Sequence, residues 1–278
     1  MRSPRRNPHD LPSPVDFPND LPLALLSTVT RRRGLLLCLD FDGTLSEIAP
    51  HPGDARLVAG AQEALNSAAS NGKIEVAVVS GRDIGTLRRL LAGTRNLTLI
   101  GTHGLERETR GKVRLNLPRS KQLAPEIEHV RGWMSREVSR DAGLLVEDKR
   151  VAIALHYRLA NPAVAQACRR KLRELIKRDC PHLAILEGKL VDEIVPAEVR
   201  GKGAALLRLS RARRNRIIAF FGDDRTDEDA FFALRNQGIT VLVGPRRKSW
   251  ACYRVDGPRE VVAQLRGLTS HQNLASSD

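Results

Sequence analysis

Reactive side chains follow several apolar stretches of this sequence. These side chains belong to Asp40, Asp42, Ser80, Lys202, Asp223 and Asp227. A carboxylate can serve as a covalent nucleophile toward a phosphoryl group. Clustered carboxylates repel one another unless a divalent cation neutralises them, and hard oxygen ligands suit Mg²⁺. A lysine adds positive charge where phosphoryl oxygens would bind. These residue types together indicate metal-assisted phosphoryl transfer.

The first acidic pair lies in the segment Asp-Phe-Asp-Gly-Thr at 40–44. In an extended chain Asp40 and Asp42 point the same way, and Gly43 allows a sharp turn after them. The second carboxylate could protonate a leaving oxygen and later deprotonate water. The alternative interpretation is that Asp-Gly is a common turn dipeptide without a chemical role.

The other candidates also have structural alternatives. Asp223, Asp224 and Asp227 could be acids that favour the start of a helix, and most lysines like Lys202 lie on the surface. The Gly-Lys-Gly segment 201–203 lacks the other residues of a phosphate-binding P-loop. The joint occurrence of these residues, in order, at four predicted element boundaries favours a functional site over coincidence.

The elements that must position these residues alternate along the chain. Continuous apolar runs predict buried strands at 34–39, 74–79, 97–100, 217–221 and 239–243, with helical patterns between them. Alternation of this kind is typical of an α/β fold with a parallel sheet. Because ligands bind at the carboxyl ends of such strands, the reactive side chains are predicted to meet there.

The pattern changes at about residue 106. Alternating apolar and polar residues at 151–158, between two amphipathic helical segments, predict a small α+β module with one open sheet face. We therefore predict the following order of segments. It comprises a Pro-rich arm at 1–30, core at 31–105, an inserted α+β cap at 106–190, core at 191–268 and a tail at 269–278.

The sequence resembles the haloacid-dehalogenase superfamily of phosphatases. Its four motifs match, in order, the segment 40–44, Ser80, Lys202 and the segment 222–224. The resemblance implies that Asp40 is the catalytic nucleophile and Asp42 the general acid/base. It also implies that Ser80 and Lys202 hold the phosphoryl oxygens.

The same resemblance implies a cofactor and a fold. Mg²⁺ would be bound by Asp40, by the backbone carbonyl of Asp42 and by Asp223, with Asp227 supporting the metal site. The fold implied is α/β, with a Rossmann-like parallel-sheet core and an inserted α+β cap.

The segments 101–106, 147–149, 156–158 and 222–231 carry a narrower resemblance. Within that superfamily, the sequence resembles the trehalose-6-phosphate phosphatases over about 35–265. The substrate-binding residues that it implies are Thr44, Arg82, His103, Gly104, Glu106, Glu147, Lys149, His156, Arg158 and Glu193. The sequence departs from the family pattern at 193–196, where no arginine lies between the glutamate and the proline.

The implied reaction is hydrolysis of trehalose 6-phosphate in trehalose biosynthesis, through an aspartyl phosphate. The same chemistry on another sugar phosphate, such as sucrose phosphate or glucosylglycerol phosphate, is an alternative that the core residues do not separate. The polar residues of the cap could also be ordinary exposed side chains, with an ion pair that contributes little.

Composition bounds the remaining possibilities. The net charge is +14, with basic clusters at 31–33, 169–171, 211–216 and 246–248. These clusters lack interleaved aromatic residues, so we favour a solvated basic surface over nucleic-acid binding. The four cysteines form no CxxC pair, and no apolar run is long enough for a membrane span. We expect a cytoplasmic monomer whose partner is a small-molecule sugar phosphate, without nucleic acid or membrane.

Overall fold

The computed structural model describes residues 17–18, 20–30, 34–116, 121–138, 142–149, 151–199 and 201–270. Its helices are α1 (Leu21–Thr30), α2 (Ala61–Ser70), α3 (Ile84–Leu90), α4 (Leu123–Glu137), α5 (Pro162–Asp179), α6 (Gly201–Ala212), α7 (Arg225–Leu234) and α8 (Pro258–Ser270). Its strands are β1 (Gly34–Leu39), β2 (Ile74–Val79), β3 (Leu97–Gly101), β4 (Glu106–Thr109), β5 (Lys112–Leu115), β6 (Leu145–Asp148), β7 (Ile153–His156), β8 (Leu183–Gly188), β9 (Val191–Pro196), β10 (Arg216–Gly222), β11 (Gly238–Val243) and β12 (Tyr253–Val255).

The larger sheet has eight strands in the order β12-β11-β10-β1-β2-β3-β4-β5. The strands from β12 to β3 pair in parallel, and β4 pairs antiparallel to β3. β1 lies near the middle of the sheet, where the strand order reverses between β2 and β10. The predicted α/β fold class with a parallel-sheet core is confirmed.

Helices cover both faces of this sheet, which explains the continuous apolar runs of its central strands. Leu35, Leu37 and Leu39 of β1 pack in one cluster with residues of α1, α2, α3 and α8. Leu36 and Cys38 point to the other face and pack with residues of α6 and α7. Burying each of these leucines contributes about 1.5–3 kcal/mol. β1 therefore has a fixed position in the core, and so does the residue that follows it.

The predicted Pro-rich arm at 1–30 is helical over its last ten residues. These residues form α1, whose Leu21 and Leu25 are buried in the core. Pro22 does not prevent the helix, because a proline near the first turn removes no intrahelical hydrogen bond. Residues 1–16 of the predicted arm lie outside the described residues.

The smaller sheet has four antiparallel strands in the order β6-β7-β9-β8. Ile153 and Leu155 of β7 pack in one cluster with residues of α4 and α5. Ala154 and His156 alternate with them and therefore lie on the opposite face of the sheet. This module is a two-layer α+β unit with helices on one face, as the alternation at 151–158 indicates.

The two compact units of the chain comprise residues 1–114 with 201–278, and residues 115–200. The predicted boundaries at 106 and 190 therefore differ from those of the structure. β4 and β5 extend the larger sheet, because β4 pairs with the edge of β3. β9 belongs to the smaller sheet, because it pairs with β7 and β8.

The other predicted boundary near the C-terminus also shifts. α8 ends at Ser270, so it includes the first two residues of the predicted tail, and residues 271–278 lie outside the described part. None of the described helices has the length and apolar character needed to cross a lipid bilayer.

Candidate active site

Asp40 immediately follows β1 and is only 4% exposed. Its backbone N–H donates a hydrogen bond of 2.9 Å to the carbonyl of Phe221 on β10, so the sheet pairing continues to the end of the strand. The chain then turns at Gly43, whose φ is +74°. This buried carboxylate is held on the carboxyl edge of the sheet, where ligands bind in folds of this kind.

Gly43 also allows the second acidic segment to approach. A Cβ atom at Gly43 would lie 2.2 Å from an oxygen of the Asp223 carboxylate, which follows β10. Any larger residue at position 43 would therefore displace Asp223. Gly222 has a similar role, since a Cβ atom there would lie 2.4 Å from the carboxyl carbon of Asp227.

Lys202, near the start of α6, links two carboxylates. Its Nζ lies 2.8 Å from Oδ1 of Asp40 and 2.8 Å from Oδ1 of Asp227. All three residues are buried. A buried ammonium in contact with two carboxylates is satisfied electrostatically and also holds the nucleophile candidate in place.

The carboxylates of Asp40, Asp223 and Asp227 offer oxygen atoms that all lie within 4.8 Å of one another. Carboxylate oxygens are the hard ligands that Mg²⁺ prefers. This donor set fits a divalent cation. Asp227 also contacts Lys202 and the backbone N–H of Asp224, so it is placed to support the group as well as to bind a metal.

The charges around Asp40 and Lys202 also indicate that this group of carboxylates fits a divalent cation. Burial raises the pKa of the Asp40 carboxyl; the ammonium of Lys202 opposes this, whereas Asp227 and Asp223 add to it. Burial by itself would lower the pKa of Lys202, but the charges of Asp227 and Asp40 outweigh it and raise that pKa. Lys202 is therefore an ammonium, but its single positive charge does not outweigh burial and the neighbouring carboxylates, which keep the pKa of Asp40 raised. A bound divalent cation would relieve the remaining repulsion.

Asp42 pairs with Arg82 at the end of β2. Nε and Nη2 of Arg82 donate to the two carboxylate oxygens of Asp42 at 2.6 Å and 2.7 Å. Arg82 is 8% exposed, whereas the side chain of Asp42 is 38% exposed. Ser80 is buried beside them, and its Oγ accepts a hydrogen bond of 3.2 Å from the backbone N–H of Arg82. Arg82, predicted to bind substrate, thus contacts the predicted general acid/base.

The segment after β3 is packed tightly against the loop that carries Ser80 and Arg82. Thr102 and His103 have positive φ angles of 46° and 53°, which are uncommon for residues with a side chain. Their backbone N–H groups donate to the carbonyls of Arg82 at 2.9 Å and of Ser80 at 3.2 Å. Gly104 follows with φ of +101° and lies against Ala205 of α6.

Glu106 connects the segment after β3 to the start of α3. Its Oε2 accepts hydrogen bonds from the backbone N–H of Ile84 at 2.8 Å and from the hydroxyl of Thr102 at 3.3 Å. These contacts hold the start of α3 and hence the loop before it. The Thr44 hydroxyl is different, because it is fully buried and has no hydrogen-bond partner among the described residues.

The smaller unit carries its own polar cluster on the sheet face opposite its helices. Nζ of Lys149 lies 2.8 Å and 2.9 Å from the carboxylate oxygens of Glu193, and 3.8 Å from Glu147. Nε2 of His156 lies 2.9 Å from Oε2 of Glu147. Lys149 and Glu193 are buried at 4% and 6% exposure. Nη2 of Arg158 donates to the carbonyl of Lys189 at 3.4 Å.

Two further acidic residues shape the site: Asp224, which the sequence analysis considered only as a helix-favouring acid, and Asp229, to which it assigned no role. Asp224 caps α7 in a capping box with Asp227, and its spacing of three residues from Asp227 is a sequence signal for such a cap. Asp229 accepts a hydrogen bond of 3.1 Å from the backbone N–H of Gly203, next to Lys202. No local pattern indicates this second contact, because its partner is on another helix.

Comparisons with known proteins find relatives in sequence and in fold. A family model described as trehalose-phosphatase matches residues 38–258. A trehalose 6-phosphate phosphatase of Zea mays is 30% identical over 265 residues, which cover 88% of this chain and 72% of the maize protein. A trehalose-phosphate phosphatase of Mycobacterium avium is 33% identical over 231 residues, covering 79% of this chain and 58% of that protein. The C-terminal domain of the C. albicans trehalose-6-phosphate phosphatase has the same fold, with a TM-score of 0.80 and 24% identity. That similarity covers 92% of this chain and 99% of the C. albicans chain.

Proposed function

Since the chain belongs to the trehalose-phosphatase family, we propose that it hydrolyses trehalose 6-phosphate to trehalose and phosphate with Mg²⁺ as cofactor. The observation that carries this proposal is the contact between Asp40 and Lys202 at 2.8 Å, within a group of three carboxylates that fits a divalent cation. This arrangement combines a nucleophile with positive charge for a phosphoryl group.

In the first step, an Oδ atom of Asp40 attacks phosphorus, and the bond between phosphorus and the sugar oxygen breaks. Asp42 gives its proton to that leaving oxygen, so that a neutral sugar departs. Lys202 and Ser80 hold the phosphoryl oxygens during the transfer. Mg²⁺, bound by Asp40, the carbonyl of Asp42 and Asp223, would supply positive charge to the phosphoryl group.

In the second step, Asp42 takes a proton from water, and the water oxygen attacks phosphorus. The bond between phosphorus and Asp40 then breaks, which releases phosphate and restores the carboxylate. The exposure of Asp42 supports this assignment, because a residue that exchanges protons with water must reach it. Asp40, in contrast, is almost fully buried.

The choice of sugar is assigned to the polar cluster of the smaller unit. Glu147, Lys149, His156 and Glu193 combine carboxylate, ammonium and imidazole groups that can bind sugar hydroxyls. A wrong sugar that leaves one of these groups unpaired would cost about 1–3 kcal/mol for each group.

Phosphate release from a panel of sugar phosphates tests the proposed reaction. We expect trehalose 6-phosphate to be turned over in preference to sucrose phosphate and glucosylglycerol phosphate, and activity to be lost in EDTA and restored by Mg²⁺. Asp40→Asn should lower turnover on the order of a thousandfold or more, because an amide is a poor nucleophile. Substantial turnover by a folded Asp40→Asn variant would exclude Asp40 as nucleophile, and full activity in excess EDTA would exclude the metal.

A further inference from the structure

The basic cluster at 246–248 includes one arginine that reaches the edge of the candidate metal site. Arg247 lies in the loop between β11 and β12. Its Nη2 donates hydrogen bonds of 3.2 Å to the backbone carbonyls of both Asp223 and Asp224. Its Nη1 pairs with the carboxylate of Glu228 on α7. One guanidinium therefore contacts the segment that carries Asp223 and also the helix that follows it.

The Arg247 side chain is held in this position by the loop around it. Glu228 is 5% exposed, and its Oε2 accepts hydrogen bonds from the backbone N–H of Trp250 at 2.8 Å and from the hydroxyl of Ser249 at 3.2 Å. Nη1 of Arg247 also lies 3.3 Å from the carbonyl of Lys248. These contacts attach the loop to α7, so the guanidinium does not need to be ordered when a ligand binds.

The segment 223–224 depends on such support, because it lies between a strand and a helix. On one side, the backbone N–H of Asp224 donates to Oδ2 of Asp227 at 3.0 Å. On the other side, Arg247 holds the carbonyls of the same two residues. The carboxylate of Asp223 must meet those of Asp40 and Asp227 to form a metal site, and a change in its backbone would move it away.

We propose that Arg247 is a positioning residue that holds the segment 223–224 in the conformation in which Asp223 binds the divalent cation. This inference rests on the metal site of the proposed function. Among the described residues, the polar contacts of Arg247 are with backbone carbonyls and with Glu228, so it acts through Asp223 and not on the substrate. Partners of metal ligands commonly change metal affinity about ten- to a hundredfold when they are removed.

A positioning role and a purely electrostatic role of Arg247 predict opposite changes in the affinity for the divalent cation when this arginine is removed. Loss of a positive charge near three carboxylates should strengthen the binding of a cation. Loss of two hydrogen bonds that orient a ligand should weaken it. Lys248 provides the matched control, since it is in the same loop, carries the same charge and is exposed, with no side-chain hydrogen bond or ion pair among the described residues.

The experiment is a titration of the metal-free protein with Mn²⁺, followed by electron paramagnetic resonance, in the absence of substrate. We expect Arg247→Ala to weaken Mn²⁺ binding about tenfold or more, which corresponds to about 1.4 kcal/mol at 25 °C. Lys248→Ala should bind Mn²⁺ as tightly as the wild-type protein or slightly more tightly. Arg247→Lys retains the charge without the planar fork, so it should also bind Mn²⁺ more weakly than the wild-type protein.

Arg247→Lys also covers the case in which Arg247→Ala does not fold, because the lysine can still pair with Glu228. Unchanged or tighter Mn²⁺ binding by a folded Arg247 variant would overturn the proposal. If the wild-type protein released no phosphate from trehalose 6-phosphate, the proposed substrate would be wrong. The Mn²⁺ titration would still decide the role of Arg247, because it requires no substrate.

Discussion

At the scale of single residues, the pair formed by Arg82 and Asp42 is the contact with the clearest consequence for the chemistry. Two parallel hydrogen bonds of 2.6 Å and 2.7 Å fix the orientation of the Asp42 carboxylate. The resemblance to known phosphatases implies that Arg82 binds substrate. The structure supports a second role, in which Arg82 orients the group that exchanges protons with the leaving oxygen and with water.

Replacing Arg82 distinguishes these two roles. If Arg82 orients Asp42, Arg82→Lys should lower kcat/KM for trehalose 6-phosphate about tenfold or more, because lysine has no bidentate fork. The loss on p-nitrophenyl phosphate should be much smaller, since its leaving group needs little proton donation. The measurement is kcat/KM for both substrates.

Arg88→Lys is the matched control, because Arg88 is a half-exposed arginine of α3 that pairs with Glu108. We expect it to leave both kcat/KM values unchanged. A loss of equal size on both substrates in Arg82→Lys would instead assign Arg82 to binding of the phosphate that the substrates share.

At the scale of elements, the turn after β1 couples the fold to the site. Gly43→Ala should destabilise the protein, because φ of +74° costs a residue with a side chain about 1–2 kcal/mol. It should also weaken metal binding, because the new Cβ would meet the Asp223 carboxylate. Gly111 has the same φ of +74° with no atom within 4 Å, so Gly111→Ala incurs the backbone cost alone. Thermal unfolding and Mn²⁺ titration of both variants would separate the two effects; equal Mn²⁺ affinities would contradict the coupling.

The smaller sheet gives a second prediction at this scale. Glu147→Gln should lower kcat/KM for trehalose 6-phosphate far more than for p-nitrophenyl phosphate, because the cluster on this sheet is assigned to the sugar and not to the phosphoryl group. Glu147 is a cleaner target than Lys149, whose removal would leave the buried Glu193 without its ammonium and destabilise the unit by about 3–5 kcal/mol. Arg170→Gln, at an exposed position of α5, is the control. A similar loss on both substrates would indicate a role in folding or in the shared chemistry.

At the scale of the whole molecule, the net charge of +14 includes many basic groups that are already paired. Arg213 lies 2.6 Å from Glu75, and Arg169 lies 2.7 Å from Asp192. Both belong to basic clusters of the sequence. Such pairs reduce the number of cations available to a polyanion, although a net positive field remains.

We therefore expect the protein to bind duplex DNA no more tightly than about 1 μM at physiological salt, within the range of non-specific binding. Fluorescence anisotropy with a labelled duplex, repeated at several salt concentrations, measures this affinity. DNA should also leave phosphate release unchanged. Submicromolar binding with a steep salt dependence would show instead that the basic surface has a nucleic-acid partner.

The amino-acid sequence by itself determined the succession of strands and helices in the core and the edge of the sheet at which the reactive side chains lie. The apolar run of β1 is buried on both faces, and its length sets the point at which Asp40 leaves the sheet. The apolar runs of β2 and β10 likewise end just before reactive residues: β2 ends before Ser80, and β10 ends before Asp223. Burial patterns of this kind are local, so they can be read from neighbouring residues.

Only the tertiary structure decided which side chains and backbone groups meet across these elements and where the two units divide. Arg82 and Asp42 are 40 residues apart, and Gly203 and Asp229 are 26 residues apart. Arg247 donates to the backbone carbonyl of Asp223 from a loop whose sequence shows only a cluster of basic residues. β4 and β5 are short; β4 is half-buried and β5 is exposed, so their place in the larger sheet depends on the edge that β3 offers to β4 and not on an apolar pattern. Contacts of this kind depend on how distant segments pack, and no local period in the sequence encodes them.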